Sequence, residues 1–116
     1  TCARALDILG TRTTTHRAGP RSTEWSASLC FAGLGRGEVV NDQGAKVSGV
    51  SQRRTRGAAR FQVAFLRRWD PEEQASLLAL DPEERARCVA EIAEVAAAIP
   101  HSPEEILDAA LEALNR

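Results

Sequence analysis

A chain of 116 residues with 43% hydrophobic and 27% charged side chains has the make-up of a single globular domain; it is not disordered, and it is short for an α/β enzyme of ordinary size. No apolar run reaches membrane-spanning length and no charged-then-apolar leader stands out, so the sequence reads as soluble, untargeted and cytoplasmic, with no membrane partner. The formal net charge of −1 hides an asymmetry, because residues 1–60 carry a balance of +6 and residues 61–116 a balance of −7, which directs the search for an anionic ligand to the first half.

Residues 2–10 read as the end of a helix closed by Gly10, and the chain starts without methionine, so the sequence is expected to be a piece of a longer protein. The β-branched run 11–15 predicts a strand, with Arg12 and His16 at its ends, and 18–22 a turn. Residues 24–31 fit either a short helix or an extended arm. Gly33, Gly35 and Gly37 follow; a phosphate-cradling loop would open a helix, whereas Glu38, Val39 and Val40 continue as a strand, so a flexible β-connection is expected instead.

Asn41 to Gly44 predicts a turn between Val39-Val40 and the run 46–51, which makes a hairpin. Strict alternation puts Lys46, Ser48 and Val50 on one face and Val47, Gly49 and Ser51 on the other, and Gly49 marks a close approach by a ligand or another backbone. Arg53, Arg54, Arg56 and Arg60 form a basic cluster without interleaved aromatics, read as a solvated face and not as a nucleic-acid site. Residues 61–66 are apolar enough for a buried central strand.

Asp70, Asp81 and Ser102 each precede a proline and two glutamates, which predicts three capped helices. The second, over 82–99, places Cys88, Ile92, Val95 and Ile99 on one stripe, so Cys88 reads as core. The third buries Ile106, Leu107, Ala110, Leu111 and Leu114, and His101 is a loop histidine with no role. The expected fold is therefore α+β, a mixed or antiparallel sheet packed against C-terminal helices. Residues 1–69 form the sheet-rich part and 70–116 the helical part of the same domain.

Cys2, Cys30 and Cys88 are odd in number and widely separated, which argues against a disulfide framework and suits a reducing cytosol. With His16 and His101 they give no zinc-ligand spacing, so no metal site is expected. Lys46 is the only lysine among fifteen basic residues. A bias toward arginine explains that as well as a need for a compact ammonium with three donors, which a planar guanidinium cannot replace.

The stretch from Gly44 through Lys46, Ser48, Gly49 and Gln52 to Arg54 resembles the lysine motif of the lipoate-protein ligase family, in which a turn glycine precedes Lys-x-Ser/Ala-Gly and a Gln/Arg-rich segment follows. The likeness extends to Cys30-Phe31 on one side and Phe61-Gln62 on the other. It implies part of a biotin/lipoate ligase-like catalytic domain whose N-terminal half is absent from this chain. It also implies an enzyme, inactive alone, that activates lipoate or a related acyl substrate with ATP and Mg2+ to an acyl-adenylate. The acyl group then passes to a lysine of a lipoyl domain, in 2-oxoacid dehydrogenases or the glycine cleavage H protein.

The family lysine matches Lys46, which would hold the carboxylate and the adenylate phosphate, with Ser48 in support by hydrogen bonding and Gly49 letting the acyl tail lie close to the strand. Where many members carry His-Gly after Gln62, this chain has Val63-Ala64. Relatives in the superfamily use a cysteine nucleophile to move octanoyl from a carrier protein to a lipoyl domain, and their Cys-Phe pair precedes the lysine by about the interval from Cys30 to Lys46. Cys30 is thus the nucleophile of an alternative octanoyltransferase or, failing that, a small buried hydrophobe. A non-catalytic half that binds a partner is the third reading.

Overall fold

Gly10 ends the first helix as its sequence predicts. In the computed structural model, which describes residues 2–115, α1 spans Cys2–Ile8, and Gly10 at φ +81° turns the chain so that Thr11 N–H reaches back to the Leu6 carbonyl at 2.9 Å. Four strands follow: β1 (Thr13–Thr15), β2 (Val39–Asn41), β3 (Lys46–Arg54) and β4 (Ala59–Phe65). They form an antiparallel sheet in the order β1-β2-β3-β4. In the β2–β3 turn the Asn41 side-chain oxygen accepts from the backbone N–H of Gln43 and of Ala45, each at 3.0 Å, while Gly44 takes φ +80°.

The three capped helices are all present. Asp70, Asp81 and Ser102 cap α2 (Pro71–Ser76), α3 (Pro82–Ile92) and α4 (Pro103–Leu114), and the last two complete reciprocal capping boxes with Glu84 and Glu105. The fold is thus α+β, a four-stranded antiparallel sheet with N- and C-terminal helices. No helix among the described residues is long and apolar enough to cross a membrane.

A bulge sets the faces of β3. Val39 pairs with Ser48 and Val40 with Lys46, leaving Val47 as an extra residue. The expected alternation therefore fails at the start of the strand. Val47 joins Val39, Cys2, Leu6, Ile99 and Ile106 in the core under α1 and α4. On the other face, the Lys46 side chain comes within 3.4 Å of where a Cβ on Gly49 would stand. A second cluster joins Trp25, Leu29 and Ala32 to Ala75, Cys88 and Ile92 of α2 and α3, so Cys88 is core as expected.

Other expectations need correction. β4 is an edge strand and not a buried central one, with Phe61 58% and Val63 45% exposed, because among the described residues no strand pairs beyond it and α4 covers only its Phe65 end. The helix read over 82–99 stops at Ile92. Residues 93–95 form a turn, and the segment that follows pairs with Lys46 at the start of β3 and with Leu66 just past β4, with Lys46 N–H to Val95 O, Ala97 N–H to Lys46 O and Ile99 N–H to Leu66 O. Backbone pairing outcompetes helical propensity there, and Ile99 still reaches the core.

α4 faces α1 through Ile106, Ala109 and Ala113, so Leu107, Leu111 and Leu114 are left exposed. The small alanines win the buried stripe because two helices approach closely there. Residues 24–31 are turns leading into one 3₁₀ turn, Cys30–Ala32, and neither a full helix nor a strand. His101 has a structural role after all, since its Nε2 meets Thr11 Oγ1 at 3.1 Å and its carbonyl accepts from Arg67.

Candidate functional site

Lys46 begins β3, and its ammonium is buried, only 4% of the residue being exposed. An ammonium so placed must spend its three donors on protein oxygens. It does: Glu38 Oε1 at 2.9 Å, Gly33 O at 3.0 Å and Cys30 O at 3.2 Å surround Nζ. The Phe31 ring lies 4.7 Å from the same nitrogen and packs in turn against Trp69.

Glu38, at the entry to β2, completes the arrangement. Its Oε1 also accepts from Gly35 N–H at 2.8 Å and its Oε2 from Val50 N–H at 3.0 Å. Burial pushes this carboxyl up, but the hydrogen bond from Lys46, the two backbone donors and the Lys46 charge together outweigh it and hold the acid below its ordinary value. The glycine connection is consequently pinned at Gly33 and Gly35 to one ion pair. Gly49 gives the pair its room, since a Cβ there would stand 3.0 Å from Glu38 Oε2.

The ion pair forms the floor of a cleft of about 640 Å³ whose walls include Cys30, Gly49, Ser51 and Gln62. Of the residues singled out from the sequence, Lys46, Gly49 and Cys30 therefore meet in one place. Ser48 does not: it pairs with Val39 and Phe65 on the opposite face, fully buried, and its hydroxyl has no hydrogen-bond partner among the described residues. The bulge carries it out of the site. Cys30 is exposed, so its reading as a small buried hydrophobe is corrected. It heads a 3₁₀ turn whose carbonyl is held by Lys46, and for that reason its side chain faces outward at the cleft.

Glu38 and Phe31 were not singled out by sequence reasoning as parts of a site. The available signal was Glu38's isolation, as the only acid between Glu24 and Asp42, placed at the start of the strand that pairs with the lone lysine's strand.

The cleft offers a thiol, a buried neutral ion pair and the side-chain-free backbone of Gly49. The charged residues lining it are Lys46 and Glu38, which cancel, and the Lys46 donors are all engaged. That set does not fit a triphosphate with its divalent cation. Among the described residues no group of three or more His, Cys, Asp or Glu is placed to hold a metal ion. No family model, no curated protein and no solved structure matches this chain.

Proposed function

We propose that this chain carries the acyl-handling cleft of an enzyme that modifies a lysine of a lipoyl domain, within a partial biotin/lipoate ligase-like catalytic domain. The support is the likeness of the Lys46 stretch to that family, together with one geometric observation: Cys30 is exposed on the same cleft that Lys46 floors, and Lys46 holds the Cys30 carbonyl at 3.2 Å.

That observation favours octanoyl transfer through Cys30 over the ATP-dependent route. The Cys30 thiolate attacks the thioester carbonyl of an acyl carrier, a new C–S bond forms, and the carrier's thiolate leaves and takes up a proton. The ε-amine of the acceptor lysine then attacks the Cys30 thioester. An amide forms, the C–S bond breaks, and the amine's proton passes to the departing Cys30 sulfur. Lys46 and Glu38 position the 3₁₀ turn that bears the thiol.

ATP-dependent lipoate-protein ligation is the second reading, supported by the likeness of the Lys46 stretch, with the triphosphate and its cation held outside this cleft. It requires a lipoate carboxylate to take the place of one of the three oxygens on Lys46.

The test is the mass of an apo lipoyl domain after incubation with the complete catalytic domain that contains this chain. The expected result is a gain of octanoyl from an octanoyl-carrier protein without ATP, lost on Cys30→Ala. Modification that needs lipoate and ATP and survives Cys30→Ala would instead establish the second reading. No modification by either route would sink both.

A further inference from the structure

β4 lacks the usual protection of an edge strand. It holds no proline and its pairing with β3 runs without a bulge; its one charged residue, Arg60, shares the cleft face with Gln62, and Phe61 and Val63 stand exposed on the other face. Leu107, Ala110 and Leu114 of α4 complete an apolar groove of about 560 Å³ beside them. The free side of the strand is also polar. Leu66 N–H donates to Val47 O and Thr55 N–H to Ala58 O at the two ends of the hairpin, so the even-numbered residues of β4 turn their backbone groups to β3 and the odd-numbered ones turn them outward. Val50 N–H, opposite Val63, accordingly points away to Glu38. Among the described residues the outward N–H and C=O groups of Ala59, Phe61 and Val63 meet no partner.

We infer that β4 is the interface with a second copy of this chain, the two strands running antiparallel about a two-fold axis at Gln62 and joining the two sheets into one. Gln62 is the middle residue of β4, so this register pairs the strand along its whole length. It sets Phe61 against Val63 and Ala59 against Phe65, all of them residues whose backbone groups face outward, so that each pair exchanges both of its N–H···O bonds. Apolar side chains meet apolar side chains on the α4 face. On the cleft face Arg60 meets Ala64, and no like charges stand opposite each other.

The two-fold also reverses the strand, which places the hairpin tip of one copy beside the Phe65 end of the other, where α4 begins. The tip brings Arg54 and Arg56 on a hairpin that holds no acid; α4 brings Glu104 and Asp108 on a helix that holds no base. The bases native to that end are already engaged, Arg67 by the His101 carbonyl and Arg68 by Asp70 and Glu73. A second copy is thus complementary in charge as well as in backbone and apolar surface. The clefts of the two copies open on the same face of the joined sheet. Ala64 lines the cleft, so Arg60 of the second copy stands at its rim, at the ~5 Å spacing of directly opposed side chains, and adds a cation that the mutually cancelling Lys46–Glu38 pair does not supply. The inference stands apart from the proposed acyl chemistry and is tested without it.

Sedimentation equilibrium measures the assembly. The expected result is a dimer whose dissociation constant rises at least about tenfold on Val63→Lys, which sets a charge in the apolar pair with Phe61. Disulfide capture reads the register, in a Cys30→Ser background that removes the exposed native thiol. Gln62→Cys lies on the axis and faces itself, so mild oxidation should link the two chains, whereas Ala64→Cys faces Arg60 and should stay unlinked. Changing Glu104 and Asp108 to arginine should weaken the dimer, and adding Arg54→Glu and Arg56→Glu should restore it.

A monomer at every soluble concentration, a dimer indifferent to Val63→Lys, or equal linking through Ala64→Cys would each overturn the inference. If circular dichroism shows that Val63→Lys does not fold, the two cysteine variants decide. A monomer whose Phe61 and Val63 amides are nonetheless protected from hydrogen exchange would give the edge to a different occupant, and overturns it as well.

Discussion

Glu38 and Lys46 are eight residues apart in sequence, and their side chains meet at 2.9 Å beneath the cleft, 13% and 5% exposed respectively. Removing one partner of so buried a pair leaves the other charge desolvated and alone. Glu38→Gln should cost about 3 kcal/mol or more of unfolding free energy, and Lys46→Met a comparable amount, whereas the double variant should recover a large part of the loss. Urea unfolding of the four proteins measures this. Additive losses would mean that the two charges do not depend on each other.

The same pair gives stability a pH dependence with a defined sign. The Glu38 carboxyl is held below its ordinary value of 4.5 in the fold, so the unfolded chain takes up its proton first. Its contribution is fully present above about pH 4.5 and is lost as pH falls through the lower, folded value. Asp81 and Glu105 are also lowered, each by a backbone hydrogen bond at its helix N-terminus, and act in the same direction. Wild type should lose stability more steeply than Glu38→Gln between about pH 5 and pH 3. Parallel acid limbs would place the proton uptake elsewhere.

Gly49 should resist the smallest side chain. Its backbone does not take positive φ, so the obstacle is space: an alanine Cβ would lie 3.0 Å from Glu38 Oε2 and 3.4 Å from Lys46 Cε. Glu38 is tied at both oxygens and cannot swing away without giving up a backbone donor. Gly49→Ala should therefore cost about 1–3 kcal/mol, seen as a lower Tm, and should diminish any Cys30-dependent transfer. An unchanged Tm would mean the ion pair has freedom that its hydrogen bonds do not indicate.

Local chemistry in the sequence specified much of the fold. Asp70, Asp81 and Ser102 start their helices where cap, proline and glutamate coincide, and Gly10 and Gly44 sit where positive φ is needed. Long-range competition was not legible. Residues 93–99 have helical composition, but Lys46 and Leu66 offer backbone partners that only the folded sheet supplies. The periodicity of α4 allows either a leucine or an alanine stripe to be buried, and close packing on α1 selects alanine. Lys46, Cys30 and Gly49 were identifiable one by one; that they share a cleft depends on a bulge at Val47, which no spacing rule in the sequence announces.

Ser48 tests that bulge directly. Its hydroxyl is buried on the face away from the cleft and has no partner among the described residues, so Ser48→Ala removes an unsatisfied polar group and little volume. Thermal unfolding should show a Tm equal to or above wild type, and any acyl transfer should be unchanged. A loss of transfer with the fold intact would return Ser48 to the site and place the bulge in doubt.

The three thiols should separate by reactivity. Cys30 is exposed at the cleft, while Cys2 and Cys88 are buried in the two cores. Burial pushes the Cys88 thiol up, the nearby carboxylates of Glu91 and Glu24 push in the same direction, and Arg87 offsets only part of this. A thiol both covered and held protonated reacts slowly, because the thiolate is the nucleophile. Iodoacetamide at neutral pH should label the Cys30 peptide first and the other two only as the chain unfolds in urea, as followed by peptide mass. If Cys88 were labelled as fast as Cys30, the core between Trp25 and α3 would have to open far more readily than its packing allows. The Cys30-first order, if seen, also provides the selectively blocked protein in which loss of acyl transfer can be assigned to that one sulfur.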